Sequence, residues 1–176
     1  MCTKLLSALI LCAALTTQAT AEADPFNAAQ ANHVLKELER LPNTLVVTHS
    51  PNPAVAVEDS TARYRYTWQF STTVESTAGD VTIVEFGSLN LEGDRWLFAN
   101  FGGKSFTREQ FAEWYGCEGA VLHEGTACTD AKNWSRANEL QRKRSLWYYF
   151  GVDEAGQRVA GSAEIVEDAR VAPAEE

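Results

Sequence analysis

The chain has 176 residues and carries 24 acidic against 15 basic side chains, a net charge of −9. That surplus repels phosphate backbones and anionic lipid surfaces, so it argues against a nucleic-acid or membrane-surface protein. With 45% of its residues hydrophobic, the chain has material for a single self-supporting core of ordinary domain size.

The first residues read as an export signal. Met1-Cys2-Thr3-Lys4 bears one cation, Leu5 to Leu15 is apolar and uncharged, and Ala19-Thr20-Ala21 has the small-x-small pattern that signal peptidase cleaves. The apolar run falls short of the ~20 residues a spanning helix needs, so cleavage is expected rather than anchoring. Leu11 before Cys12 is too bulky for lipoprotein processing. The expected organisation is a signal peptide over 1–21, one β-rich domain over 22–168, and a disordered acidic tail over 169–176. The mature product is expected to be secreted or periplasmic, with nothing inserted in a membrane. Loss of Lys4 takes its net charge to −10.

One helix follows. Asn27 stands as its N-cap with Gln30 in the capping-box position, and Ala31, Val34, Leu35, Leu38 and Leu41 recur at helical spacing until Pro42-Asn43. From Thr44 the period becomes two. Thr44–Thr48 and Ala54–Glu58 read as short strands around Ser50-Pro51-Asn52-Pro53. Arg63–Val74 is the clearest strand, with Tyr64, Tyr66, Trp68 and Phe70 expected in the core. Val81–Leu91 and Arg95–Phe101 complete a meander around the Glu92-Gly93-Asp94 turn. Thr107 and Gln110 form a capping box for a short aromatic helix that Gly116 stops. Residues 129–144 read as polar and irregular, ending in the basic run Arg142-Lys143-Arg144, before two closing strands over Ser145–Val152 and Gln157–Val166.

Seven strands with an N-terminal helix and one short inserted helix make a mainly β, α+β domain. Closely spaced turns favour an antiparallel, immunoglobulin-like β-sandwich. The alternative is a curved antiparallel meander packed on the N-terminal helix.

With Cys2 and Cys12 lost in the signal, Cys117 and Cys128 are expected to pair as a disulfide in an oxidising compartment. His123 lies between them, and Cys117, His123, Cys128 and Asp130 could surround zinc. That spacing matches no common structural zinc site, so no metal and no other cofactor is expected. His49, where a strand meets a turn, is the other histidine with any claim to metal or acid–base work. No catalytic motif is present: Ser88 lacks the second glycine of a nucleophile elbow, and Gly102-Gly103-Lys104-Ser105 lacks the first glycine of a phosphate loop. Asn133-Trp134-Ser135 is a formal glycosylation sequon, relevant only in a eukaryotic host.

Aromatic content is high, with five Trp, five Tyr and eight Phe. Trp114, Tyr115 and Trp134 flank the disulfide loop and are the candidate binding face for a protein, peptide or glycan ligand. The bland reading of the same residues is that they plug a sheet edge. The functional expectation is an exported, non-catalytic binding or interaction module. The alternatives are a small envelope enzyme with its site around His49 or His123, or a metal-handling protein. N-terminal sequencing of exported material should begin at or near Glu22; an intact Met1 would contradict the signal.

Overall fold

A computed structural model describes residues 25–173, so the signal peptide and its cleavage site lie outside the described residues. Helix α1 spans Pro25–Arg40. It begins ahead of Asn27, on a proline that has no N–H to leave unpaired in a first turn. Asn27 is therefore inside the helix and does not cap it. The apolar stripe runs as its spacing predicts: Ala31 and Val34 are buried, and Leu35, Leu38 and Leu41 pack beside them against Leu89, Phe98, Tyr148 and Phe150. Each fully buried side chain of this size contributes roughly 1.5–3 kcal/mol.

Ten strands follow: β1 (Leu45–Ser50), β2 (Ala54–Glu58), β3 (Tyr66–Ser76), β4 (Val81–Glu92), β5 (Arg95–Phe98), β6 (Phe106–Thr107), β7 (Val121–Leu122), β8 (Cys128–Ala137), β9 (Lys143–Asp153) and β10 (Arg158–Val171). The second helix, α2 (Arg108–Tyr115), lies between β6 and β7. β1 and β2 pair in succession along one edge of β3, and β8 pairs along the other. β2 also runs parallel to β10, which continues antiparallel through β9 to β4. The far edge of β4 takes β5, β6 and β7.

The domain is thus mainly β, as expected, but an immunoglobulin-like sandwich is not confirmed. The parallel β2–β10 ladder joins what would be two sheets into one mixed, non-closed sheet. Side chains continue the seam where that ladder stops. Asn52 donates to the Glu164 carbonyl at 2.8 Å and accepts from the Val166 N–H at 3.0 Å. The start of β1 lies so close to β10 that a Cβ on Gly161 would fall 2.3 Å from the Leu45 carbonyl oxygen.

Three local expectations are corrected. Residues 129–137 are not irregular but form most of β8. Tyr64 precedes β3 and is 36% exposed, whereas Tyr66, Trp68 and Phe70 are core. The closing strand reaches Val171, so residues 169–171 of the expected tail are strand. In β4 a register shift between Ile83 and Glu85 resets the alternation, which turns Phe86 into the same core as Ile83 and leaves Leu89 in the other.

Helix α2 has the predicted capping box, with Thr107 Oγ1 accepting from the Gln110 N–H and Gln110 Oε1 from the Thr107 N–H. Gly116 ends it in the left-handed region at φ 67°. Its buried side carries Phe111 and Tyr115 onto Phe86 of β4. The Cys117–Cys128 disulfide then ties the exit of α2 to the first residue of β8, across 11 positions of sequence. Closing that short loop restricts the unfolded chain, so Cys117→Ser should cost about 2–4 kcal/mol. Chemical denaturation checks it; an unchanged midpoint would mean that the bond adds nothing to the aromatic packing.

Candidate functional site

Because the sheet does not close, its two edges face each other. At one end α2 and the disulfide fill the gap. At the other the gap is a cavity of about 690 Å³. One wall comes from β4 and the segment after β5, with Ser88, Asn90, Ala99, Asn100 and Phe101. The opposite wall is β8, through Asp130, Lys132, Asn133, Trp134, Ser135 and Arg136. Phe70, Ser145, Trp147 and Glu167 line the depth, from β3, β9 and β10.

The first wall is braced. Asn100 Oδ1 accepts from the Ser88 N–H at 2.7 Å, and its amide donates to the Lys104 carbonyl at 3.1 Å. A Cβ on Gly87 would fall 2.3 Å from that Asn100 amide, so Gly87 leaves the space the brace occupies. The aromatic side is continuous: Phe106 lies 4.9 Å from Trp114, 5.1 Å from Phe101 and 6.5 Å from Trp147, measured between ring centroids. On the β8 rim, Arg136 stacks over Trp134 at 4.1 Å.

The polar floor is unusual. Glu167 is 1% exposed, and its Oε2 is buried with no hydrogen-bond partner. The Ser135 hydroxyl faces the carboxyl and favours its charge, as do Lys143 and Ser145, but burial dominates and pushes the Glu167 pKa up. Ser145 Oγ sits 3.2 Å from Glu167 Oε1 and 3.0 Å from Asn90 Oδ1. A single hydroxyl proton cannot serve both oxygens. A proton on Glu167 donated to Ser145, which then donates to Asn90, satisfies the three groups together. Asp130, half-buried, is also raised by burial.

A buried polar chain lies behind the cavity. Asn133 donates to Thr72 Oγ1 at 2.9 Å, and Thr72 lies 3.0 Å from His49 Nδ1. His49 Nε2 is 3.3 Å from the Ala163 carbonyl, which can only accept, so the proton sits on Nε2 and Nδ1 accepts from Thr72. Burial lowers the His49 pKa and keeps the ring neutral. Tyr115 and Tyr149 share a hydroxyl–hydroxyl bond in the core, and burial raises both.

The structure sorts the predicted residues. Cys117 and Cys128 form the expected disulfide. Trp114 and Trp134 line the same cavity from opposite walls, whereas Tyr115 is core at 4% exposure and does not belong to a surface. His49 stitches β1 to β10. His123 is exposed, with Nδ1 2.6 Å from Asp80 Oδ2, and neither histidine lines the cavity. No group of three or more metal-ligating side chains converges among the described residues. Asn133 is 6% exposed with its amide committed to Thr72, so its sequon is closed to modification once the domain has folded.

The sequence reading does not single out Glu167, Ser145 or Asn90, and it names Asp130 only as a possible zinc ligand beside the cysteines. A signal for Glu167 existed: it shares the inward parity of Ile165 and lies one residue past the end assigned to the last strand.

No family model and no curated protein matches the chain. Among solved structures it is similar to the "Putative ApaA Protein from Bordetella pertussis", at 13% identity and a TM-score of 0.46 over 77% of this chain and 98% of that one. It is also similar to a Northeast Structural Genomics Consortium target solved by X-ray crystallography, at 10% identity and a TM-score of 0.47 over 77% of this chain and 96% of the other.

The raised proton affinity of Glu167 makes stability depend on pH. The folded state holds this proton more tightly than the unfolded chain, so the contribution is complete below the ordinary value near 4.5 and is lost as pH rises through the native one. Thermal unfolding of the wild type and Glu167→Gln between about pH 4 and about pH 8 should show the wild type losing ground to the variant as pH rises, at roughly 2–4 °C per kcal/mol for a domain of this size. A constant gap would mean that folding leaves the proton affinity of the carboxyl unchanged.

Proposed function

We propose that the protein is an exported, non-catalytic binding module that takes a small amphipathic ligand in the gap between its sheet edges. One observation carries this reading: a cavity of about 690 Å³ combines a continuous aromatic wall with a few convergent polar groups on its floor. Drug-sized ligands fit such a volume, the aromatic faces supply contact area, and the floor supplies orientation. Trp114 and Trp134 serve here as opposite sides of a cleft rather than as a flat patch. The disulfide fits an oxidising compartment, and no helix of the described residues is long and apolar enough to cross a membrane.

The enzyme alternative called for a histidine beside a carboxylate in a concave pocket. The only histidine–carboxylate ion pair within 4.0 Å among the described residues, His123–Asp80, lies on the surface outside the cavity. The cavity's own titratable groups are carboxyls and rim bases, which suits recognition of charge and shape.

Titration with the neutral fluorescent probe N-phenyl-1-naphthylamine tests the proposal. Binding should saturate at one probe per chain, and Ala99→Trp, which places a large ring in the cavity wall, should weaken it at least about tenfold, or 1.4 kcal/mol. Val46→Trp, on an exposed position of β1, is the control and should leave binding unchanged. Absence of saturable binding, or binding indifferent to Ala99→Trp, would overturn the proposal.

A further inference from the structure

Within that reading, the chemistry of the cavity floor narrows the ligand class. From the buried, unpartnered Glu167 Oε2 beneath an aromatic wall, we infer that the cavity selects an organic ammonium carrying an aromatic or branched apolar body, its charge set on Glu167 and its body against Phe106, Trp114 and Trp147. Although the Ser135 hydroxyl faces the carboxyl, Oε2 makes no hydrogen bond, so it is open to a donor brought by a ligand. Aromatic faces present negative potential, so they favour a cation over a neutral donor at the same place.

The surrounding charges agree with this assignment. Lys143, cross-strand from Glu167, does not take the carboxylate; its ammonium lies 5.5 Å over the Trp68 ring, and no ion pair joins the two. The other charged groups of the cavity all come from β8. Asp130 is half-buried, whereas Lys132 and Arg136 are exposed, with Arg136 turned onto Trp134. The lining from β3, β4 and β9 is uncharged. Acids therefore occupy the depth and bases the rim.

The balance of protons follows. In the free protein burial favours the neutral acid form of Glu167, whose proton is donated to Ser145. When an ammonium arrives, that proton leaves to solvent, the carboxylate accepts from the N–H groups of the ligand, and Ser145 is released to donate to one oxygen. Binding should release up to one proton and tighten as pH rises through the range in which free Glu167 titrates.

Calorimetry with three near-isosteric probes, 2-phenylethylamine, 2-phenylethanol and phenylacetate, tests the inference, run in two buffers of different ionisation enthalpy. Between about pH 5 and about pH 7 the amine should bind at least about tenfold more tightly than the alcohol and show net proton release, while the alcohol releases none. Glu167→Gln should erase that margin and the proton release while leaving the alcohol unaffected. Glu167→Asp, which withdraws the carboxyl by one methylene, should weaken the amine alone, and it stands in if the glutamine variant does not fold. Equal binding of alcohol and amine, a margin that survives in both variants, or a preference for phenylacetate would overturn the inference. In those cases saturable N-phenyl-1-naphthylamine binding would still uphold the binding module, whereas failure of that probe would remove the module itself.

Discussion

The packing around Phe86 sets the shape of the molecule. This fully buried ring stacks on Tyr149 of the neighbouring strand and meets Phe106, Phe111, Trp114 and Tyr115, which β6 and α2 bring across the interior. Edge-to-face aromatic pairs add about 0.5–1.5 kcal/mol each beyond the area they bury. They anchor the eight-residue helix at one end of the sheet, and the disulfide holds its exit against β8. That end has no room for a ligand.

The other end follows by difference. β4 and β8 are too far apart to pair, α2 is too short to fill the whole gap, and the inward positions there change from Phe and Tyr to Ser, Asn, Asp and Glu. A polar lining on an open gap would hydrate and loosen without support. Asn100 braces one wall, the Asn133–Thr72–His49 chain braces the other, and the covering α1 holds β5, β9 and β10 from outside. The result is a rigid frame around a floor that contains one carboxyl oxygen without a partner. Rigidity is what allows such a group to act as a recognition element, because a soft site would collapse onto it.

Much of this was legible in the sequence, and the failures share a cause. The α1 stripe, the capping box of α2 and its glycine stop are local signals, set by helical period and terminal hydrogen bonds, and they appear where expected. The disulfide followed from compartment and count. Strand β8 escaped because alternation is recognised by apolar residues on one face, and its inward residues past Cys128 are Asp130, Asn133 and Ser135, interrupted by a register shift. Its polarity is the polarity of the site. Tyr64 erred in the opposite direction: aromatic alternation ran on past the end of the ladder that would have buried it. Glu167 lay one residue beyond the assigned strand, where a charged residue at inward parity would have marked the floor. The register shift in β4 brings Phe86 onto the face of Ile83, and no periodicity argument contains it.

The proposed recognition group is Glu167, which burial on the cavity floor holds toward its neutral form. Carbon-13 NMR of the glutamate side-chain carboxyls, with Glu167 assigned by its absence in Glu167→Gln, measures this directly in the ligand-free protein. The Glu167 carboxyl should stay in the protonated shift range above the ordinary value near 4.5 and titrate after the exposed glutamates. A Glu167 signal that titrates together with those glutamates would contradict it.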